Sequence, residues 1–148
     1  MDTTILDCTL RDGGYYNNWD FDRSLVESYL SAMASSHIGV VEIGFRMTPR
    51  SGFHGPYAFC KDTFLASLSI PAGIKVAVMV NASDILSGQH DPLDAISHLF
   101  SASDDSPVDL VRVACHGHEV SPALPICDWL HRKGYCVALN IMQASEKT

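Results

Sequence analysis

The sequence lacks the paired cysteine spacing of a metal-binding or redox motif. Its five cysteines, at positions 8, 60, 115, 127 and 136, are odd in number and include no Cys-x-x-Cys pair. A disulfide framework is therefore not indicated, and we expect reduced cysteines that act as small core residues in a cytoplasmic protein.

Long apolar runs and excess positive charge are also absent. No apolar stretch approaches the ~20 residues that span a membrane, and the N-terminus shows no signal-peptide pattern. Ten basic residues stand against 17 acidic ones, for a net charge of -7. We therefore expect neither a membrane nor a nucleic-acid partner, although acidity identifies no substrate.

The composition is that of a globular protein. Hydrophobic residues make up 47% of the 148 positions and charged residues 18%, which excludes a disordered chain. This length is enough for one domain with a real core, so we predict a single domain over residues 1–148.

Apolar runs of strand length alternate with amphipathic segments along the whole chain. We predict strands at 4–10, 40–45, 74–80, 109–115 and 135–142. Helices are predicted from about residue 22 to 37, and at 57–68, 91–102 and 121–133. Strands separated by helices pair in parallel, so the fold class is α/β with a parallel βαβ repeat. Five strands fit either an open doubly wound sheet or the first five-eighths of a barrel.

The first predicted strand ends in an unusual group of residues. Its apolar run stops at Arg11 and Asp12, which are followed by two glycines that let a ligand approach the backbone. Arg11 can hold a carboxylate or an enolate with its planar fork, and Asp12 can bind a hard divalent cation. The alternative is a surface salt bridge at a strand end.

The segment Asp-Cys-Thr-Leu-Arg-Asp-Gly-Gly, residues 7–14, resembles the first-strand signature of the metal-dependent aldolase and lyase superfamily. That superfamily includes 4-hydroxy-2-oxovalerate aldolase, hydroxymethylglutaryl-CoA lyase and isopropylmalate synthase, which are TIM barrels. The resemblance implies that this chain forms the first five strands of a (β/α)8 barrel. A whole barrel needs about 250 residues, so we expect an incomplete one.

Glu42 is a carboxylate inside the apolar second strand, where burial without a partner would be costly, and Arg11 is its natural partner. It also matches the glutamate of the superfamily, so Arg11, Asp12 and Glu42 reproduce the triad at the barrel mouth. Pyruvate-forming members carry a catalytic histidine shortly after the motif, where this chain has Tyr15 and Tyr16. A tyrosine could act there as acid or base, although the ordinary pKa of a phenol, ~10, makes it a poor base.

Three further residues are candidates for binding substrate. Arg46 and Arg50 lie in the predicted loop 46–56 after strand two, and solvated side chains are the alternative for both. His116 follows strand four, where the aldolases also have a histidine. His116 and His118 have the spacing of metal ligands, but the superfamily's His-x-His pair lies on strand seven, so we favour a polar rim.

The resemblance implies a reaction next to a 2-oxo acid, with pyruvate-type enolate chemistry that also involves an aldehyde. Mg²⁺ or Mn²⁺ would bind the carboxylate and keto oxygens, Asp12 would be one ligand, and the other ligands would come from the missing part of the barrel. Arg11 would stabilise the enolate, oriented by Glu42. Two alternatives stay open: an inactive partial barrel that is structural or self-associates as a homo-oligomer, and a Claisen-type acyltransferase.

Overall fold

The computed structural model describes residues 3–88 and 91–146. Five strands form one sheet in chain order, and each neighbouring pair is parallel. Helices alternate with the strands, and the sheet curls into half a barrel. The predicted class, an incomplete α/β barrel, is therefore confirmed.

The strands are β1 Leu6–Asp7, β2 Val40–Phe45, β3 Lys75–Asn81, β4 Leu110–Cys115 and β5 Cys136–Ile141. The α-helices are α1 Thr9–Gly13, α2 Arg23–Ser35, α3 Asp62–Leu65, α4 Ala82–Leu86, α5 Pro92–Ser97 and α6 Val120–Arg132. Short 3-10 helices cover Gly14–Tyr16, Pro56–Ala58, Ser103–Asp105, Gly117–Glu119 and Ala144–Glu146.

The prediction for the first strand is wrong in its second half. Only β1 is extended, and Arg11 and Asp12 lie on the one-turn helix α1 instead of at a strand end. The Asp7 carboxylate explains the early stop, because it accepts a hydrogen bond of 2.8 Å from the Thr9 backbone N–H and so turns the chain.

The helices after strands two and three also differ from the prediction. Residues 57–68 contain a 3-10 turn and the four-residue α3 instead of one helix, because Cys60 adopts a positive φ of 37° between them. Helix α5 ends at Ser97, short of residue 102, and α4 was not predicted. The outer layer over β2 is therefore thinner than a full helix would make it.

Helix α2 begins where the sequence supplies a cap. The Asp22 carboxylate accepts hydrogen bonds from the backbone N–H groups of Ser24 and Leu25, at 2.8 and 3.2 Å. Val26 and Leu30, one turn apart, are fully buried against the sheet. Tyr29, which lies three residues after Val26 and directly before Leu30, donates its hydroxyl to the Asp7 carboxylate at the end of β1 and so fixes the helix there.

The strand register decides which side chains share the inner face of the half-barrel. Laterally paired residues of a parallel sheet point to the same side, and alternate residues of a strand do so too. Glu42 pairs with Ala77, Ala77 with Leu110, and Leu110 with the first residue of β5. Arg112 lies two residues after Leu110, and Asn140 lies four residues after the first residue of β5, so both side chains are on the same face as Glu42.

A register shift in β2 adds an aromatic ring to that face. Between Glu42 and Gly44 the strand carries one extra residue relative to β3, so that Phe45 pairs with Met79 and faces the same side as Glu42. Gly44 and Arg46 then face the outer layer.

No helix within residues 3–88 and 91–146 has both the length and the apolar character needed to cross a bilayer.

Gly44 provides a test of this register. A Cβ at this position would lie 2.0 Å from the Tyr57 carbonyl oxygen, which is backbone and cannot move aside. We expect Gly44→Ala to lower the free energy of unfolding by about 3 kcal/mol, measured by urea titration with tryptophan fluorescence.

The matched control is Gly13→Ala, whose Cβ would meet Phe21 at an ordinary 3.6 Å. We expect this helical position to be neutral or to gain up to about 1 kcal/mol. Equal stability of the Gly44 and Gly13 variants would contradict the close approach described for β2.

Candidate active site

The centre of the inner face is the carboxylate of Glu42, which is 0% exposed. The Arg11 Nε donates to its Oε1 at 2.7 Å. Arg112 donates through Nη1 to both of its oxygens, at 3.0 and 3.1 Å. A buried carboxylate is stable only when charged partners compensate it, and here two guanidinium groups do so. The predicted contact between Arg11 and Glu42 is therefore present.

Arg11 reaches Glu42 because helix α1 is held in one position. The Trp19 indole N–H donates to the Arg11 carbonyl at 2.9 Å. A Cβ on Gly14 would lie 1.9 Å from that indole, so only glycine permits this packing. The Arg11 guanidinium also lies 5.7 Å from the centre of the Phe45 ring.

Asp12 lies beside this pair and faces solvent. Its carboxylate forms an ion pair with the Arg11 guanidinium and accepts a hydrogen bond from the Cys8 thiol at 3.3 Å. The side chain is 57% exposed, against 14% for Arg11 and 0% for Glu42. The three residues of the predicted triad are thus brought together, with Asp12 as the accessible member.

The surroundings fix two protonation states at this site. Burial alone would lower the pKa of Arg11, but the hydrogen bond and the charge of Glu42 outweigh it and raise that pKa. Burial, followed by the hydrogen bond to Asp12, raises the pKa of the Cys8 thiol. Arg11 is therefore a permanent cation, and Cys8 is a thiol at neutral pH.

Arg112 is a site residue that was not singled out from the sequence. It donates to Glu42 as described, and its Nη2 also donates to the Asn140 Oδ1 at 2.9 Å. It reaches from β4 over β3 to β2, which marks this face as the concave one. The available signal was a charged residue inside the apolar run 110–115, the same signal that identified Glu42.

The two tyrosines predicted near the motif have different surroundings. The Tyr15 ring packs edge-on against Trp19 and Phe45, with centroids 4.8 and 6.1 Å away, and is 61% exposed. Tyr16 is 95% exposed. Only Tyr15 thus contacts Phe45, the ring over which Arg11 lies.

Arg46 lies away from this cluster, on the outer side of the sheet. It is 2% exposed and forms an ion pair with Asp62. Its guanidinium also donates to the carbonyl oxygens of Cys60 and Leu99, at 3.2 and 2.7 Å. These contacts join the loop after β2 to the segments that follow α5 and precede α3.

Arg50 lies on the same outer side and pairs with Asp84 at 2.6 Å. Together with Arg46 it lines a cleft of about 700 Å³ next to the short helix α3. The contact of either arginine with substrate stays a prediction.

His116 follows β4. Its imidazole stacks on that of His118, with ring centroids 5.8 Å apart, and its backbone N–H donates to the Glu119 carboxylate at 2.7 Å. Its role in binding substrate also stays a prediction.

The residues partly fit a divalent cation. Asp12 offers an exposed carboxylate oxygen, which suits a hard ion. Yet residues 3–88 and 91–146 bring together no group of three or more His, Cys, Asp or Glu side chains that could hold a metal. Asp12 therefore fits as a single ligand of a set that these residues do not complete.

The site can bind and stabilise negative charge. The fixed guanidinium of Arg11 is suited to bind an oxyanion of the substrate. A second oxygen of the same substrate would then lie near the accessible carboxylate of Asp12. Among the described residues, Tyr15 and Cys8 are the groups beside this pair that could carry a proton, and the raised pKa of Cys8 disfavours its thiolate.

We expect Glu42→Gln to lower the free energy of unfolding by about 3 kcal/mol, because it leaves Arg112 without its anion and Arg11 with only the exposed Asp12. Urea unfolding monitored by circular dichroism measures the change. The double variant Glu42→Gln/Arg112→Met, which removes one of the two cations, should regain about 1 kcal/mol or more. A single variant as stable as the parent would contradict the account of the buried network.

Comparison with known proteins gives one informative similarity. No family model matches the chain, and no curated protein matches it. Four solved chains do match. One is the crystal structure described as "the N-terminal domain of a putative aldolase from Bacteroides vulgatus", with 31% sequence identity and a TM-score of 0.82. The alignment covers 97% of this chain but 46% of that one, so this chain spans about half the length of its neighbour. In both sequence and fold, the protein is thus similar to part of the domain that this description assigns to an aldolase.

Proposed function

We propose that this domain belongs to a metal-dependent aldolase or lyase that cleaves or forms a carbon–carbon bond next to a 2-oxo acid. The observation that carries the proposal is Arg11, held by the fully buried Glu42 and placed beside the accessible Asp12. The similarity to a putative aldolase supports the same reaction class. Pyruvate and an aldehyde are the small molecules that we expect to bind.

The charges of the site support an enolate intermediate. Arg11 and Arg112 carry two positive charges, Glu42 supplies a buried negative charge, and Asp12 supplies an exposed one. The positive charge of Arg11 lies where α1 meets the inner face. Preplaced charge of this kind stabilises an oxyanion without reorganisation, and such stabilisation usually contributes more to catalysis than any other single effect.

A divalent cation, Mg²⁺ or Mn²⁺, would supply Lewis-acid polarisation of the 2-oxo group, with Asp12 as the ligand from this chain. Arg11 then binds the oxygen on which negative charge develops. Glu42 prevents the guanidinium from rotating away, and Phe45 shields one of its faces from water.

Tyr15 is the proton carrier that we propose, in preference to Tyr16. Its ring contacts Phe45, whereas Tyr16 points to solvent with 95% of its surface exposed. Tyr15 would exchange a proton with the carbanion that forms next to the 2-oxo group.

Deuterium exchange at the methyl group of pyruvate tests the proposal. We expect proton NMR in D₂O to show exchange that depends on Mg²⁺ or Mn²⁺. Arg11→Lys keeps the charge but loses the planar fork, and should slow exchange by about 100-fold. Asp12→Asn should slow it similarly and raise the metal concentration needed for half-maximal rate.

Asp94→Asn makes the same change on the surface of α5 and serves as the control. Its exchange rate should equal that of the parent chain. Absence of metal-dependent exchange in the parent would contradict the proposed function, and normal exchange in Asp12→Asn would remove Asp12 from its role.

A second candidate is a self-associating domain without activity of its own. The outer strands β1 and β5 each pair on one side only within the part of the chain that the structure describes. β5 spans six residues without charge, proline or glycine, the features that protect an edge from pairing. β1 has two residues and offers little backbone for pairing, so we expect the β5 strands of two copies to pair with each other. Ile141 at its end is 44% exposed.

Light scattering measures this association directly. A dimer through β5 should become monomeric in Ile141→Lys, because a charged edge side chain opposes strand pairing. Leu124→Lys, which changes a similarly exposed side chain on α6, should leave the mass unchanged. A parent chain that is already monomeric would contradict this candidate.

A further inference from the structure

One end of the buried network retains unused hydrogen-bond donors. Arg112 donates through Nη1 to Glu42 and through Nη2 to Asn140. Within residues 3–88 and 91–146 its Nε has no hydrogen-bond partner, and the side chain remains 19% exposed. A guanidinium carries five donors, so Arg112 can bind a further anion without leaving Glu42.

Asn140 is oriented to join that anion. Its Oδ1 accepts from Arg112, which leaves both hydrogens of Nδ2 available, and no described residue accepts them. Asn140 lies on β5 and its Cα is in register with that of Ala114, two residues beyond Arg112 on the inner face. Two donor groups of neighbouring strands therefore adjoin each other.

The ion pairs of the network favour an anion at Arg112. Arg11 and Arg112 contact the same oxygen of Glu42, and Arg11 also pairs with Asp12. Among the described residues, Arg112 pairs with Glu42 alone and shares that anion with Arg11. The planar fork of arginine also matches a carboxylate in geometry.

We propose that Arg112 and Asn140 form a second carboxylate subsite, which selects a 2-oxo dicarboxylate over a 2-oxo monocarboxylate. Its distal carboxylate binds Arg112 and the Asn140 amide, and its 2-oxo end lies at Arg11 and Asp12. The assignment of the 2-oxo end rests on the proposed function, while the subsite itself depends on Arg112 and Asn140 alone.

Calorimetric binding of two matched probes tests this subsite. 2-Oxoglutarate and 2-oxopentanoate have the same carbon chain and differ in the terminal carboxylate. With Mn²⁺ present and without turnover, we expect the full chain to bind 2-oxoglutarate at least about tenfold more tightly, as one charged hydrogen-bonded contact provides. Asn140→Asp, which puts a negative charge next to Arg112 and preserves that pair, should abolish this preference.

Asn18→Asp is the matched control. It makes the same substitution at an exposed residue in the turn before α2, outside the sheet, so the preference for 2-oxoglutarate should persist. The subsite is overturned if the parent binds both probes equally, if Asn140→Asp keeps the preference, or if Asn18→Asp loses it equally. Tighter binding of inorganic phosphate than of 2-oxoglutarate would also overturn it.

The two proposals fail separately. If the chain prefers 2-oxoglutarate but exchanges no deuterium into pyruvate, the subsite is supported and the proposed reaction is contradicted. If the chain catalyses exchange but binds the two probes equally, the proposed reaction is supported and the subsite is contradicted.

Discussion

A single carboxylate, buried without access to water, organises the inner face of this half-barrel. Glu42 can remain charged there only because Arg11 and Arg112 reach it from two other segments of the chain. Removal of either partner would leave part of its charge uncompensated. The Glu42 carboxylate therefore links the position of α1, the register of β2 and β4, and the direction of Asn140 on β5.

The sequence predicted the main parts of this arrangement because they depend on local pattern. Strand two was predicted at its observed bounds, since its apolar run is bounded by turn residues. The contact of Glu42 with Arg11 followed from the cost of burying a charge. Both inferences need only residue type and order along the chain.

Other features depend on contacts that a pattern does not contain. Thr4 to Leu10 looks like a strand, but the Asp7 side chain turns the backbone after β1. The helix expected at 57–68 is interrupted at Cys60, whose positive φ no spacing rule predicts. Arg112 was equally visible as a charge in an apolar run, but its partner lies 70 positions away on a strand that is not its neighbour.

The extra residue in β2 has a consequence for the whole fold. In a regular strand, residues three apart point to opposite sides, but here the shift between Glu42 and Gly44 turns Phe45 to the side of the carboxylate. Arg11 thus meets an anion at its edge and an aromatic ring at its face, both from one strand. Loss of the extra position would leave Phe45 two residues after Glu42 in a regular strand, and therefore still on its side. Pairing with β3 without the shift, at unchanged length, would instead point the ring at the helices, so the direction of Phe45 is set by where the extra residue is accommodated.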